Sequence, residues 1–230
     1  CLVGSEMCIR DSNRATPRTQ SALLECMEEH QVTVDGEYSK LEEPFVVIAT
    51  QNPIETAGTY QLPEAQLDRF LMKINMGYPE KDDEVLILNR FLTSNPEITL
   101  EKVATCEDVI AMKEDAKNVY IHPVLIEYIV ELARMTRNEE NVLTGVSPRG
   151  TLGMLNAARA YAYVSGRDYV VPEDIKILAP YVWAHRLVLQ TGFMNRDNKE
   201  QIIGNVVSKT AVPTEDWNLS LIHISEPTRH

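Results

Sequence analysis

The sequence predicts an α/β core built on a parallel sheet, followed by an all-helical domain. Three observations carry the prediction. The run Phe45-Val46-Val47-Ile48-Ala49 is continuously apolar and rich in β-branched residues, the pattern of a parallel strand buried on both faces. Ahead of it, Asp35-Gly36 separates two alternating runs, the signal of a two-residue β-hairpin. Beyond Asp82 the apolar residues recur at helical spacing.

Taken in order, Thr16 and Pro17 suit the N-cap and first position of a helix. That helix places Leu23, Leu24 and Met27 on one face and Glu25, Glu28 and Glu29 largely on the other. Gln31 to Val34 and Glu37 to Leu41 form the hairpin strands, and Glu42-Glu43-Pro44 leads into the buried strand. The strand ends in Thr50-Gln51-Asn52-Pro53, because Pro53 has no N–H for further pairing. Ligands of open α/β sheets sit just beyond such strand ends, which is where Asn52 stands. Pro63 and Glu64 open a helix that carries Leu67-Asp68-Arg69-Phe70. Met72 to Met76 alternates and reads as another strand, closed by Gly77-Tyr78-Pro79.

The helical part begins with Val85, Leu86, Leu88 and Phe91 on one face. Thr93 to Thr99 is polar, contains Pro96 and reads as a loop. Thr105 and Asp108 have the spacing of an N-cap and its N3 acid. A long helix follows near Pro123, with Leu125, Ile126, Ile129, Val130, Leu132 and Ala133 as a broad apolar face. Asn138 to Thr144 is a polar connection. Ser147-Pro148 caps a helix from Arg149 to about Val164, and Pro172-Glu173-Asp174 starts another that reaches Trp183 and beyond.

The formal net charge of −12 argues against a general nucleic-acid footprint, which needs a basic patch. A nucleotide site needs only a few local donors and is compatible with it. Of the four cysteines, Cys26 and Cys106 lie in the body of the chain without metal-ligand spacing, which favours a reduced, cytosolic compartment. No apolar run approaches the roughly 20 residues that span a bilayer. His122 before Pro123 and His185 beside Arg186 are isolated from other ligand types and read as structural.

The two ends read differently from the middle. Met7 to Ser12 can be encoded by ATG-TGT-ATA-AGA-GAC-AG, and the reverse complement of that string reads as Leu219 to Ile224. One oligonucleotide translated in opposite directions thus accounts for both ends. Residues 1–12 and most of 218–230 are therefore expected to be sequencing-adapter translation rather than natural protein.

The segments ATQNPIETAGTYQLPEAQLDRF, NRATPRTQSALLECMEEHQVTVDG and SPRGTLGMLNAARAYAYVSGRDYVVPEDI resemble AAA+ ATPases of the MoxR family. The resemblance runs from Asn13 to about Trp217. It implies that residues 13–81 are the C-terminal part of an AAA+ P-loop NTPase core, with the hairpin as its pre-sensor-1 insertion. Residues 82–217 are then the helical lid and a C-terminal tail.

The resemblance also assigns roles. Asn52 is the sensor-1 residue, an amide able to orient water and touch a γ-phosphate. On residue type alone, Asn52 reads as a turn cap before Pro53, and the surrounding ATQNP and LDRF reverse that preference. Arg69 is the arginine finger, offered in trans to a neighbouring subunit's nucleotide. Its alternative is an arginine near a helix C-terminus, paired with Asp68 or Glu64. Arg149 is sensor 2, reaching its own subunit's phosphates from a helix N-terminus; its alternative is a solvated first-turn arginine. Arg14 follows the place of the Walker B acids and faces the ring interface. The acids themselves are not present: Asp11 falls where the second would be, but inside the adapter-like stretch, and no role is carried onto it. The pattern G-x-x-x-x-G-K-[ST] occurs nowhere.

The implied protein is a hexameric, cytoplasmic ring that hydrolyses ATP with Mg²⁺ and acts as a chaperone in the maturation or activation of other proteins. Its implied partners are proteins with von Willebrand A domains; neither nucleic acid nor membrane is expected. Without the phosphate loop and the Walker B acids, this chain is expected to be inactive alone. Two rivals come from other classes: a non-catalytic interaction module with a degenerate nucleotide site, and a DNA-handling or chelatase-type motor. The acidic hairpin tip Asp35-Gly36-Glu37 speaks against DNA.

Overall fold

The computed structural model describes residues 2–3, 6–9, 26–27, 29–34, 37–50, 64–93, 102–190 and 196–214. A small mixed sheet comes first. Strands β1 (Leu2–Val3) and β2 (Glu6–Ile9) pair antiparallel, and β2 runs parallel to β5 (Val46–Ala49) with Glu6 opposite Val46 and Ile9 opposite Ala49. Between them, β3 (Gln31–Val34) and β4 (Glu37–Lys40) form the expected hairpin, with Val34 opposite Glu37, so two residues make the connection. The tip itself and most of the first expected helix lie outside the described residues.

Three expectations change here. The β5 strand is not buried on both faces: Val46 is 47% and Ile48 57% exposed. Among the described residues β5 has one strand neighbour, β2, and Val46 and Ile48 lie on one face that stays open. Met72 to Met76 forms no strand. The ladder for it is missing; Lys73 N–H instead donates to Tyr181 O at 2.9 Å, a helix-end carbonyl. Helix α2 (Lys81–Thr93) forms as expected, yet its face of Val85, Leu86, Leu88 and Phe91 is exposed rather than packed.

The helical unit is closed by contrast. Helix α1 (Glu64–Leu67) is short. After α2 come α3 (Cys106–Asn118), α4 (Pro123–Arg137), α5 (Pro148–Val164), α6 (Pro172–Trp183) and α7 (Arg196–Lys209). Helix α5 packs against α3, α4 and α6, and α7 closes over α4 and α6. The core they share holds Leu125, Leu132, Met154, Ile175, Trp183 and Ile203 fully buried. Each such side chain contributes roughly 1.5–3 kcal/mol on leaving water. The connection at 138–144, expected to be merely polar, contains β6 (Val142–Thr144) paired with β7 (Val188–Leu189). Helix α7 had no counterpart in the sequence reading. Among the described residues no helix is long and apolar enough to cross a membrane.

The caps are built by the residues expected to build them. Thr105 Oγ1 accepts from Asp108 N–H at 3.1 Å while the Asp108 carboxylate accepts from Thr105 N–H at 2.7 Å. Pro123, Pro148 and Pro172 each occupy a first helical position. His122 supplies the N-cap of α4, its Nδ1 accepting from Val124 N–H at 3.3 Å.

Asp174 is the most deeply placed carboxylate. It is 2% exposed, accepts from Val171 N–H at 2.9 Å, and takes both ends of the Arg167 guanidinium at 2.6 and 2.8 Å. Replacing it removes a cap and strands a partly buried cation. Asp174→Ala is therefore expected to cost about 3 kcal/mol in urea denaturation, with Asp174→Asn losing less.

Candidate functional site

The turn after α1 is the centre of the site. Arg69 N–H donates to Gln66 O and Phe70 N–H to Leu67 O, both at 3.2 Å. These tight i to i+3 bonds end the helix at Leu67. Arg69 therefore stands in a turn, not inside a helix as the sequence suggested.

Asp68 joins that turn to two distant helix ends. Its carboxylate accepts from Ser147 Oγ, 3.1 Å from each oxygen, and from Arg186 Nη1 at 2.7 Å. Ser147 is the N-cap of α5, with its Oγ also accepting from Gly150 N–H at 3.2 Å. A carboxylate at that N-terminus is favoured by the helix dipole. Arg149 sits exposed one position beyond Pro148, on the first turn of the same helix.

Arg186 follows the C-terminus of α6 and its side chain is only 2% exposed. Its Nε donates to Val182 O at 2.8 Å, and Nη2 donates to Phe70 O at 2.7 Å and to Leu71 O at 3.4 Å. Nη1 donates to the Asp68 carbonyl as well as to its carboxylate. The guanidinium lies on a face of α5 cleared by glycines. A Cβ at Gly150 would meet Arg186 Cδ at 3.1 Å and Val146 Cγ1 at 2.7 Å, and one at Gly153 would meet Arg186 Nη2 at 3.5 Å. Trp183 secures the same wall, its indole N–H donating to Gly150 O at 2.9 Å.

His185 adds a second tie. It is 8% exposed, with Nε2 3.1 Å from Phe70 O. A carbonyl can only accept, so Nε2 carries the proton. Burial, which outweighs the favourable carbonyl, and the positive charges of Arg186 and Lys73 push its pKa down to about 4.

The structure thus brings Arg69 and Arg149 to either side of one hydrogen-bonded joint, although 80 residues separate them in sequence. Asn52, Arg14 and Asp11 lie outside the described residues. The sequence reading missed Arg186 and the part played by Asp68, which it had considered only as a counter-ion for Arg69. A signal was available: Arg186, with His185 beside it, interrupts the largely apolar run from Ile177 to Leu189, and a cation buried there must find acceptors. Among the described residues no three His, Cys, Asp or Glu side chains converge as a metal-ligand set, so none is assigned to a metal.

Protonating His185 would replace a neutral ring, bonded through Nε2 alone, with a buried cation beside Arg186. The unfolded chain binds that proton near pH 6.5 and the folded one only near 4. Stability from this group is thus fully present above pH 6.5 and falls as the pH drops toward 4, by up to about 1.4 kcal/mol per unit. Urea titrations between pH 7 and 4.5 should show that slope, and His185→Gln should remove it.

Comparison with known proteins places this geometry. The family model described as ATPase family associated with various cellular activities (AAA) matches residues 3–72, and that of an AAA lid domain matches 134–206. The first match begins inside the stretch read as adapter translation. The uncharacterized protein YeaC of Bacillus subtilis is 45% identical over 215 residues, covering 93% of this chain and 67% of the relative. Chaperone MoxR1 of Mycobacterium tuberculosis is 39% identical over 222 residues, covering 92% of this chain and 58% of its own. A crystal structure of a candidate ATPase from Cytophaga hutchinsonii superposes with a TM-score of 0.83 at 36% identity, covering 91% of this chain and 67% of that one. The chain therefore spans about three-fifths to two-thirds of the length of these proteins.

Proposed function

Since the chain belongs to the MoxR family of AAA+ ATPases, we propose that it supplies the arginine-bearing half of an ATP-hydrolysing site in a hexameric ring. The observation that carries this reading is the Asp68–Ser147 contact, which places the Arg69 turn against the helix start that bears Arg149. An arginine on each side of the joint suits phosphate chemistry, Arg69 toward a neighbouring subunit's nucleotide and Arg149 toward its own, because phosphoryl transfer depends on positioning and on stabilising charge.

Each residue has a distinct part. Arg69 meets the phosphoryl group of a neighbouring subunit's ATP as charge builds on it. Arg149 contacts nucleotide phosphate from its helix N-terminus, where free N–H groups add to its charge. Asn52 orients the attacking water, and Arg14 lies at the subunit interface. ATP brings Mg²⁺ with it, and the ion would neutralise phosphate charge; no described residue of this chain is assigned as its ligand. The energy of turnover is spent on maturing or activating client proteins in the cytoplasm, with von Willebrand A-domain proteins as partners. One relative's name, Chaperone MoxR1, supports the chaperone part of this reading.

This chain alone should show no ATP turnover above background, because it has no glycine-rich phosphate loop. In the protein with that loop present, Arg69→Ala should lower kcat on the order of a thousandfold while ATP still binds. Arg149→Ala should weaken ATP binding, and Asn52→Ala should lower kcat. Mixing Arg69→Ala subunits with subunits whose phosphate-loop lysine is replaced should restore part of the activity if the finger works in trans. Undiminished turnover by Arg69→Ala rings would refute the assignment.

A further inference from the structure

We infer that Arg186 and Asp68 are positioning residues for Arg69, fixing the arginine-bearing turn to the helical unit so that it moves with the start of α5. The inference rests on the reading of Arg69 as a phosphate-facing arginine.

The contacts sit on both sides of Arg69. One guanidinium takes the carbonyl before it, Asp68, and the carbonyls after it, Phe70 and Leu71. His185 takes the Phe70 carbonyl a second time. Three residues beyond Phe70, Lys73 N–H is bound to Tyr181 O, and Met72 packs on the helical core. Asn75 then reaches Glu200 of α7 at 2.7 Å. From residue 68 to 73 the backbone is thus tied repeatedly to α6 and to the turn after it, and the Asn75 side chain adds a contact to α7.

The strands are joined to the helical unit more loosely. Lys113 of α3 reaches Glu43, just ahead of β5, at 2.8 Å, but both side chains are about half exposed and solvent screens the pair. The Arg186 side chain is almost fully enclosed, so its hydrogen bonds cannot be exchanged for water without opening the fold. Ser147 completes the connection: the hydroxyl that caps the Arg149 helix is bonded to the residue preceding Arg69. A shift of the α5 N-terminus on meeting nucleotide phosphate is therefore carried directly to the Arg69 turn.

Arg186→Lys tests this, since lysine keeps the charge but not the planar fork that spans Asp68 and Phe70. Followed by amide hydrogen exchange in this chain, it should speed exchange at Arg69 and Phe70 about tenfold or more while α4 and α6 keep their protection. Unchanged exchange at those two amides would overturn the inference, as would equal acceleration throughout α4 and α6. Should Arg186→Lys fail to fold, Asp68→Asn decides: it keeps the shape and the Ser147 contact but drops the charge, and must show the same local pattern. In the protein with its phosphate loop, Arg186→Lys should lower kcat about tenfold with the ATP dissociation constant unchanged; loss of ATP binding in step with kcat would count against a positioning role. Arg69→Ala with full kcat would sink the finger assignment alone, because the exchange experiment still decides whether the turn is docked.

Discussion

A guanidinium withdrawn from water must find acceptors inside the protein, and Arg186 finds them on Val182, Asp68, Phe70 and Leu71. Desolvating such a charge costs several kcal/mol, and a single carboxylate rarely offsets it. Here the field of two helices contributes as well. Arg186 lies past the C-terminus of α6, and Asp68 lies at the N-terminus of α5, each at the end its charge prefers. The pair is therefore stabilised by hydrogen bonds and two helix ends together. The turn from Asp68 to Leu71 is not an optional partner in this arrangement, because without it the buried cation would keep only the Val182 carbonyl.

The same constraint reaches into the sequence of α5. Gly150 leaves room that a methyl group would take from Val146 and Arg186, whereas one at Gly153, a turn further on, would make ordinary contact with the guanidinium. Glycine inside a helix costs roughly 1 kcal/mol relative to alanine. At Gly150 that cost makes sense if the space it clears is needed for the Arg186 side chain. Trp183 then closes the wall by donating to the Gly150 carbonyl. Packing, backbone approach and the buried charge are thus one structural problem with a single solution.

Much of this chain was legible because its signals are local. Thr105 with Asp108, Ser147-Pro148 and Pro172 mark helix starts within a few residues, and the Asp-Gly dipeptide signals a hairpin whose strands pair with Val34 opposite Glu37. The Arg69 and Arg149 motifs were legible through family resemblance. Their meeting at Asp68 was not, since no periodicity links residues 68, 147 and 186. Burial failed where it depends on neighbours: the apolar pattern of β5 reports the strand correctly, but whether both faces are covered depends on other elements. Met72 to Met76 misled for the same reason, because alternation cannot supply a pairing strand.

The two parts of the chain consequently differ in how far they satisfy themselves. In the helical unit Trp183, Leu132 and Ile203 are sealed, and the ends of α5 and α6 are bonded to neighbouring segments. In the strand-bearing part Val46 and Ile48 face solvent, as does the apolar side of α2 ahead of the closed helices. A sheet whose strands are apolar on both faces is normally covered on both faces, so its local sequence presumes neighbours beyond the three strands described. The Arg69 turn lies next to α1, between these two regimes, and it is secured to the closed one. Its geometry is then set by the enclosed contacts of Arg186, His185 and Ser147, whatever covers the open face of β5. For an arginine proposed to meet a phosphate on another subunit, rigidity has to come from the side that is already complete.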